Sequence, residues 1–478
     1  MDLHYDAVVI GSGPNGLAAA ITMQQQGLRV LIIEAKSTIG GGMRTAELTI
    51  PGYKHDICSA VHPLGASSPF FKSLPLEDFG LEWINPPAAL AHPFDDGTAA
   101  VLYPSLKETA ATLGEDADKY LSLMTPLVED WNTIAPDLLG PFTIPTALGK
   151  TVRFGLQAIK SSEQFVKNFK GHKAKAFFGG LAAHSMLALD KPMSASFGLV
   201  LGAIGHVVNW PFPKGGSQAL ADALAAYFQS IGGTVQTDMH IRGLKQIPSA
   251  KVILFDLGPK QLLEIVREKF PQGYIKRMEK YRYGMGVFKI DWALSDPIPF
   301  AAPECRQAGV VHIGGTYPEI AASEKSTSRH KIHESPFVLL AQPSLFDNTR
   351  APKGNHTAWA YCHVPHGSTI DMTEAIEQQI TRFAPDFKKV ILAKHTMNTV
   401  DMQYYNPNYI GGDINGGVQD IWQHFSRPIL RWSPYTTPIP NIYLCSASTP
   451  PGGGVHGMCG FHAAKKALSD HFNIKAKL

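Results

Sequence analysis

Hydrophobic residues near the start of the chain follow two different patterns. Residues 7–10 and 30–33 are uninterrupted apolar runs, which are typical of parallel strands buried on both faces. Between them, the segment from Pro14 to Gln26 has the composition of a helix, and Gly27 is placed to end it. The order predicts a strand, a glycine turn, a helix and a second strand that ends at Glu34.

The glycine turn has the spacing G-x-G-x-x-G. In this pattern Gly11 allows a tight turn, Gly13 lets the backbone approach a pyrophosphate, and Gly16 lets the helix pack closely on the strand. The helix N-terminus offers unpaired N–H groups to the phosphates. Glu34, followed by Ala35, can accept hydrogen bonds from ribose hydroxyls and would repel a 2′-phosphate. These features predict a dinucleotide site.

A second glycine cluster follows the second strand. It contains Gly40, Gly41, Gly42, Met43 and Arg44. The cluster resembles the second glycine motif of flavoproteins with the glutathione-reductase-type FAD fold. That resemblance implies that the cluster and its cation lie along the pyrophosphate and ribityl chain. The alternative is an ordinary glycine loop with a solvated Arg44.

The pattern changes near Ser67. From there to about Pro213 it predicts helices and loops, with no strand buried on both faces. Within this region, residues 150–175 are basic and partly amphipathic. One interpretation is a patch that docks on an anionic membrane surface. The favoured interpretation is a solvated helix face.

The later segments predict further elements. Ser217 is a candidate N-cap for a helix that ends at Gly232 and Gly233, and strands follow at 234–238 and 251–255. From Gly286, apolar residues alternate with Lys289 and Asp291, which predicts a half-buried antiparallel strand. Further predicted elements are strands at 309–314, 337–342, 357–363 and 441–445, and a helix at 371–383.

The C-terminal part repeats the strand, glycine turn and helix order. The run from Ser446 to Gly460 contains Pro450, Pro451 and three consecutive glycines, and an alanine-rich helix follows it. Here the chain resembles the phytoene desaturase-like FAD-dependent oxidoreductases, including their pyridine nucleotide-disulfide oxidoreductase domain-containing branch. The resemblance implies that the helix N-terminus lies under the flavin pyrimidine ring.

The motifs and the resemblance together predict the cofactor, FAD, and its contacts. The family places a backbone group near Ile241 against the adenine and the N–H groups of Gly457 and Met458 against the flavin. The full set of predicted contacts is Gly11, Ser12, Gly13, Pro14, Asn15, Gly16, Glu34, Ala35, Gly41, Gly42, Met43, Arg44, Ile241, Ser446, Val455, His456, Gly457 and Met458.

The predicted fold class is α/β: a glutathione-reductase-type, Rossmann-like FAD-binding domain with an inserted α+β substrate domain. We expect residues 1–66, 213–285 and 430–478 to form the FAD-binding domain, and residues 67–212 and 286–429 to form the substrate domain. A chain of 478 residues is long enough for two such domains.

Composition narrows the function. A net charge of +3 argues against a bulk nucleic-acid role, and five cysteines without a C-x-x-C pair suit a reducing compartment. No signal peptide or membrane-spanning run is predicted, so we expect a soluble cytoplasmic protein. The spacing of His456, Cys459 and His462 suggests zinc only weakly, and no metal is predicted.

We expect hydride exchange at flavin N5 with a C–H or C=C bond of a small apolar substrate. Isoprenoid or carotenoid-like substrates are a family analogy, and oxygen or a quinone would reoxidise the flavin. Four histidines are candidates for proton transfer: His55, His62, His424 and His456. The loop positions of His62 and His456 favour these two over the others.

Two other functions stay open. One is a flavin amine oxidase, in which Trp422, Tyr404 and Tyr405 would supply an aromatic cage. The other is a non-catalytic binding protein that resembles the GDP dissociation inhibitors. The chain has no second G-x-G-x-x-G, because Gly284 and Gly286 lack a third glycine, so neither an NAD(P)H domain nor disulfide reductase chemistry is expected.

Overall fold

The structure is a computed structural model that describes residues 4–142 and 144–477. Its first sheet has five parallel strands in the order β16-β10-β1-β2-β9. These strands are β1 (Tyr5–Ile10), β2 (Val30–Ile33), β9 (Thr234–Gln236), β10 (Ala250–Phe255) and β16 (Ile442–Leu444).

Helices cover both faces of this sheet. One face packs against α1 (Pro14–Gln24), α10 (Gln218–Ser230) and α17 (Met458–Phe472), and the other packs against α11 (Pro259–Val266) and α12 (Gln272–Met278). Burial on both faces explains the uninterrupted apolar runs of β1 and β2. The predicted Rossmann-like α/β architecture is therefore confirmed.

The second sheet has seven strands in the order β15-β11-β14-β13-β12-β6-β7. All adjacent strands in this sheet are antiparallel except β12 and β6, which are parallel. Its strands are β6 (Ala88–Pro93), β7 (Ala99–Leu102), β11 (Gly286–Leu294), β12 (Ala308–Ile313), β13 (Val338–Ala341), β14 (His356–Val364) and β15 (Ile391–Met397).

Helices also cover this sheet on both sides. One face packs against α5 (Ala117–Leu138), α8 (His172–Ala183), α9 (Ser194–Val208) and α13 (Tyr317–Ser328), and the other packs against α14 (Thr373–Phe383). The shorter elements are β3 (Thr45–Glu47), β4 (Lys54–Asp56), β5 (Trp83–Ile84), β8 (Phe212–Pro213), α2 (Pro63–Ser67), α3 (Pro69–Lys72), α4 (Leu106–Ala111), α6 (Leu148–Ala158), α7 (Ser162–Phe165), α15 (Thr399–Tyr405) and α16 (Ile421–Ser426).

Two strand predictions are wrong. The region between Ser67 and Pro213 contains β6, which is buried along its whole length, although no such strand was expected there. Its alanines have little β propensity, and it is a strand because it pairs with β7 on one side and with β12, far along the chain, on the other. Strand β11 is buried on both faces. Lys289 and Asp291 lie side by side on one face and form a buried ion pair, and α14 covers the other face.

Smaller differences concern the ends of elements. Helix α1 ends at Gln24 rather than Gln26, and β9 stops at Gln236 rather than at residue 238. Ser217 is not an N-cap by its side chain, because its hydroxyl donates to the carbonyl of Ser59 instead. This hydrogen bond from Ser217 holds the loop that precedes α2.

Candidate functional site

A cavity of about 610 Å³ lies between the two sheets. On one side it is lined by residues at the carboxyl ends of β1, β2 and β10 and just after β16, including Ile10, Ile33, Asp256 and Ser446. The crevice beyond the carboxyl ends of parallel strands is where open α/β sheets bind nucleotides. We call this side the cofactor half and the opposite side, formed by the seven-stranded sheet and its helices, the substrate half.

The glycine turn forms the floor of the cofactor half. A Cβ atom at Gly16 would lie 2.1 Å from the carbonyl oxygen of Gly11, so only glycine lets the turn close this tightly. A Cβ atom at Gly41 would lie 2.9 Å from the Cα of Gly13. The two glycine segments thus lie against each other, and their missing side chains leave a cradle that fits the pyrophosphate of FAD.

Asp256 is a site residue that the sequence did not reveal. It follows β10 and accepts a hydrogen bond from Gly16 N at 2.9 Å. Burial raises the pKa of this carboxyl to about 8, and the nearby charge of Glu34 adds to the rise. A lone acid after an apolar strand carries no recognisable motif, so only the fold brings it to the glycine turn.

Glu34 lies at the end of β2 and lines the cavity, as the ribose contact requires. One of its oxygens accepts from Ser12 N at 3.0 Å and Ser12 Oγ at 2.6 Å. The other accepts from Lys36 N at 2.9 Å and from Arg44 Nη2 at 3.2 Å. A carboxylate offers about four acceptor positions, so ribose hydroxyls would have to share or replace these donors.

Arg44 is 6% exposed, so the alternative of a solvated cation is wrong. Besides its pair with Glu34, it donates to the carbonyl of Thr38 and lies over the ring of Tyr405. The hydroxyl of Tyr405 donates to the carbonyl of Gly41 at 2.6 Å. These contacts fix the second glycine cluster at the mouth of the cofactor half.

The C-terminal run closes the cofactor half from the other side. Ser446 and Val455 line the cavity, and Ser446 Oγ donates to the carbonyl of Leu257 at 2.7 Å. His456 is buried away from the cavity, and its Nδ1 accepts from Met458 N at 3.0 Å. Burial lowers the pKa of His456 to about 4, so it is neutral near pH 7.

Most of the predicted cofactor residues line this cavity. These are Gly11, Ser12, Gly13, Pro14, Asn15, Glu34, Ala35, Gly41, Gly42, Arg44, Ile241, Ser446 and Val455. Gly16, Met43, His456, Gly457 and Met458 do not line it. Gly16 lies in the first turn of α1 and packs on the carbonyl of Gly11. Gly457 has φ +71° and directly precedes α17.

His62 lines the cavity, but its ring is held in a fixed role. Its Nε2 lies 2.8 Å from Ser217 Oγ. The Ser217 hydroxyl already donates its proton to Ser59, so Nε2 of His62 must be the donor in this pair. Burial lowers the pKa of His62 to about 4. His62 therefore orients the loop before α2 and has no basic nitrogen at Nε2.

The other sequence candidates lie away from the cavity. His55 lies 3.7 Å from Asp291, and His424 packs against Phe142 near the surface. Tyr404 and Trp422 are highly exposed, and only Tyr405 of the three lines the cavity. These three residues therefore do not together form the aromatic cage that the amine oxidase alternative would use.

The substrate half is mostly apolar. It is lined by side chains from α9, the strands β12, β13 and β14 and the loop after α9: Phe197, Leu201, Trp210, Val310, Leu339, Leu340, Ala341, Trp359 and Tyr361. His184, which follows α8, also lines it. Such a lining favours a ligand with a large apolar surface.

A buried ion pair lies behind this wall. The ammonium of Lys289 contacts both carboxylate oxygens of Asp291 and lies 5.5 Å from the ring centroid of Trp359. Burial alone would raise the pKa of Asp291, but Lys289 and the imidazoles of His55 and His395 lower it below its ordinary value. The pair holds a charged group next to the cavity without exposing it to water.

Two structural properties bear on metals and membranes. Across residues 4–142 and 144–477, no three His, Cys, Asp or Glu side chains cluster in a way that could hold a metal ion. Within the same described part of the chain, no helix is both long and apolar enough to cross a bilayer.

The fold and the cavity define a protein with a Rossmann-like, nucleotide-binding domain. The family model of an NAD(P)-binding Rossmann-like domain matches residues 9–74. Two solved structures share the fold: an oxidoreductase from Methanosarcina mazei (TM-score 0.65, 14% identity, 98% of this chain and 100% of that one) and putrescine oxidase bound to putrescine (TM-score 0.62, 16% identity, 99% and 100%).

Relatives match nearly the whole chain. Pyridine nucleotide-disulfide oxidoreductase domain-containing protein 2 of Rattus norvegicus is 25% identical over 98% of this chain and 94% of its own length. A limonene dehydrogenase polypeptide of Castellaniella defragrans is 22% identical over 97% and 94%. Phytoene desaturase (lycopene-forming) of Paracoccus sp. is 23% identical over 95% of each chain.

These relatives confirm the predicted resemblance to the phytoene desaturase-like oxidoreductases and the predicted enzyme class, an oxidoreductase. The fold, the glycine cradle and the relatives all agree with FAD as the cofactor.

Proposed function

We propose that this chain is an FAD-dependent oxidoreductase that acts on a C–H or C=C bond of an apolar, isoprenoid-like molecule. The observation that carries the proposal is one continuous cavity, with a glycine cradle at one side and an apolar wall at the other. Two of the full-length relatives are named for hydrocarbon substrates, limonene and phytoene, which supports the same class of substrate here.

The residues of the two halves would have different roles. Bound FAD supplies hydride exchange at flavin N5. The backbone of the glycine turn and Arg44 would hold the nucleotide and pyrophosphate, and Glu34 would hold the ribose. The wall around Trp210 and Trp359 would orient the substrate and exclude water. With His62 neutral and committed to Ser217, no side-chain base is assigned, and the reoxidant would be oxygen or a quinone.

The test is a set of anaerobic titrations of FAD-loaded protein, followed by the visible flavin absorption. The probes are two hydrocarbons, limonene and phytoene, and two amines, putrescine and cyclohexylamine. We expect a hydrocarbon to perturb or bleach the flavin band and both amines to leave it unchanged. Bleaching by an amine alone would replace the proposal with the amine oxidase alternative.

We further propose that the protein docks on an anionic membrane surface through α6 and Phe142. Leu148, Val152, Leu156 and Ile159 are all exposed and follow the spacing of one helix face. Phe142 packs on Phe425 of α16 at 4.4 Å, next to the exposed Trp422. An apolar face of this kind departs from the solvated helix that the charge run favoured.

The charges around this face match an anionic bilayer. Asp130 pairs with both Lys150 and Arg153, Asp137 accepts a hydrogen bond from Thr151 Oγ1 of α6, and Glu163 is the acid of residues 150–175. The exposed cations along the same segment are Lys150, Arg153, Lys167 and Lys170. Three carboxylates lie against these four exposed cations and the half-buried Lys160, Lys173 and Lys175 of the same segment, so the segment carries a net positive charge. A basic surface attracts acidic headgroups while the apolar side chains insert.

Co-sedimentation with phosphatidylcholine vesicles, with and without phosphatidylserine, tests this surface. We expect binding only to the anionic vesicles and its loss in Leu156→Asp. The matched control is Ile370→Asp, since Ile370 is a similarly exposed apolar residue elsewhere on the surface. Equal sedimentation of Leu156→Asp and wild type, or self-association of the protein through this face in solution, would contradict membrane docking.

A further inference from the structure

A pair of hydrogen-bonded histidines lies at the apolar wall of the substrate half. His184 lines the cavity, and its Nε2 lies 2.9 Å from Nε2 of His312. His312 lies on β12 two residues after Val310, so both point to the same face of the sheet. His312 is fully buried, whereas His184 is partly exposed at the cavity.

Both imidazoles are neutral near pH 7. Burial lowers the pKa of His184 to about 3 and the pKa of His312 well below its ordinary value. Each ring then carries one N–H and one lone pair. A hydrogen bond between the two Nε2 atoms needs the N–H on one ring and the lone pair on the other, so the tautomers of the two residues are coupled.

The surroundings of His312 select one of the two arrangements. Its Nδ1 is buried and has no hydrogen-bond partner in the described part of the chain. It lies against Gly180, where a Cβ atom would be only 2.6 Å away. Neighbouring His92 bonds to the carbonyl of Gly315 instead, and His363 bonds to Glu324. A buried N–H without an acceptor is costly, so the proton of His312 is better placed on Nε2.

The consequence appears on His184. If His312 donates from Nε2, Nε2 of His184 is the acceptor and the proton of His184 is on Nδ1. This Nδ1 makes no hydrogen bond to any residue within 4–142 and 144–477, and the ring borders the cavity. The apolar wall therefore carries a hydrogen-bond donor.

We propose that the substrate carries a hydrogen-bond acceptor, such as a carbonyl or hydroxyl oxygen, that binds Nδ1–H of His184. His184 is then a specificity-determining residue and His312 a positioning residue that sets its tautomer. The inference rests on the proposed function for the location of the substrate. It narrows the substrate class from any apolar, isoprenoid-like molecule to one that also carries a polar oxygen.

A matched pair of probes tests the inference: geranylacetone and its analogue with a methylene group in place of the carbonyl oxygen. Binding is measured by tryptophan fluorescence, and the bound ketone by isotope-edited infrared difference spectroscopy. The variants are His184→Phe, which removes the donor, and His184→Gln, which keeps an amide donor.

In wild type we expect the ketone C=O stretch to lie at lower frequency than in a hydrocarbon solvent. The shift should disappear in His184→Phe and persist in His184→Gln. The ratio of ketone to methylene-analogue affinity should fall about tenfold in His184→Phe, the size of one lost hydrogen bond. A merely structural role of His184 would change both affinities together and leave the frequency alone.

Several results would overturn the inference. These are an unshifted C=O stretch in wild type, a shift that survives in His184→Phe, or a failure of wild type to bind both probes. Parallel measurements on FAD-loaded and FAD-free protein separate this inference from the proposed function. A His184-dependent shift in protein that never takes up FAD would sink the proposed function and leave the polar substrate contact standing.

Discussion

The cofactor half and the substrate half of the cavity are built in opposite ways. The cofactor half uses backbone groups from short, local motifs, and a Cβ atom at Gly16 or Gly41 would not fit there. The substrate half uses side chains from α9, β12, β13 and β14 and from the residue after α8, which lie far apart in the chain. Only glycine fits where one backbone segment must approach another or a ligand closely, whereas many different residues can form an apolar wall. Only the cofactor half therefore has a recognisable sequence motif.

The two halves also differ in charge. Glu34 and Asp256 place two carboxyl groups beside the glycine turn. The substrate half faces the cavity with apolar side chains and the neutral His184, and its charged pair Lys289 and Asp291 is buried behind the wall. Substitutions should therefore act on one half at a time.

The largest expected effect comes from Gly13→Val. A Cβ atom at Gly13 would lie 2.6 Å from Asp256 Oδ2, so the longer side chain forces apart the turn and the acid and fills the cradle. We expect FAD affinity to fall by at least about a thousandfold, about 4 kcal/mol, in titrations followed by flavin fluorescence.

Gly273→Ala is the control for this substitution, because nothing lies within 4 Å of a Cβ atom there. Geranylacetone should still bind to Gly13→Val protein. Loss of FAD and ketone binding together would show that the two halves do not act separately.

The next largest effect is expected for Lys289→Met. The substitution leaves the fully buried carboxylate of Asp291 without its ammonium partner. Breaking a buried pair in this way costs about 3–5 kcal/mol. Urea unfolding of the FAD-free protein should reveal the loss.

The control is Lys214→Met, which removes a surface pair with Glu82 and should change the unfolding midpoint little. Equal midpoints for Lys289→Met and Lys214→Met would mean that the ion pair adds nothing to the substrate-half sheet.

A smaller effect, with a pH signature, is expected for Asp256→Asn. The folded-state pKa of Asp256 is raised to about 8, above the ordinary value of an aspartate. The folded protein thus holds a proton that the unfolded chain has lost between about pH 4 and pH 8. Stability from this group is greatest below about pH 4 and declines as pH rises to about 8.

Asp256→Asn should remove that decline, so unfolding midpoints should differ between variant and wild type more at about pH 8 than at about pH 5. FAD affinity of wild type should also weaken as the carboxyl ionises beside the pyrophosphate, and the variant should lack this dependence. Asp222→Asn, at an exposed acid on α10, is the control. A pH-independent difference would disprove the assignment of the proton to Asp256.

The sequence predicted the parts of the molecule whose structure is set locally. Strands β1 and β2, helix α1 and the C-terminal glycine run follow from residues that are neighbours in the chain. Strand β6 was not predicted, since its alanine-rich sequence has little β propensity and becomes a strand by pairing with β7 on one side and with the distant β12 on the other.

Long-range contacts also explain the missed site residues. Asp256 reads as a lone acid after a strand, and the pair His184 and His312 is separated by 128 positions. Lys289 and Asp291 fit the pattern of a solvated strand face, but Trp359 of β14 and His55 of β4 cover them in the fold. Residues that only the tertiary fold brings together have no characteristic spacing in the sequence.

The measurement that tests the central claim most directly is the FAD content of the purified protein, from its visible spectrum and from mass spectrometry under native conditions. The account predicts one FAD for each chain, retained by wild type and lost by Gly13→Val. Folded protein without a flavin band after supplementation with FAD would contradict the account and favour a non-catalytic binding protein related to GDP dissociation inhibitors.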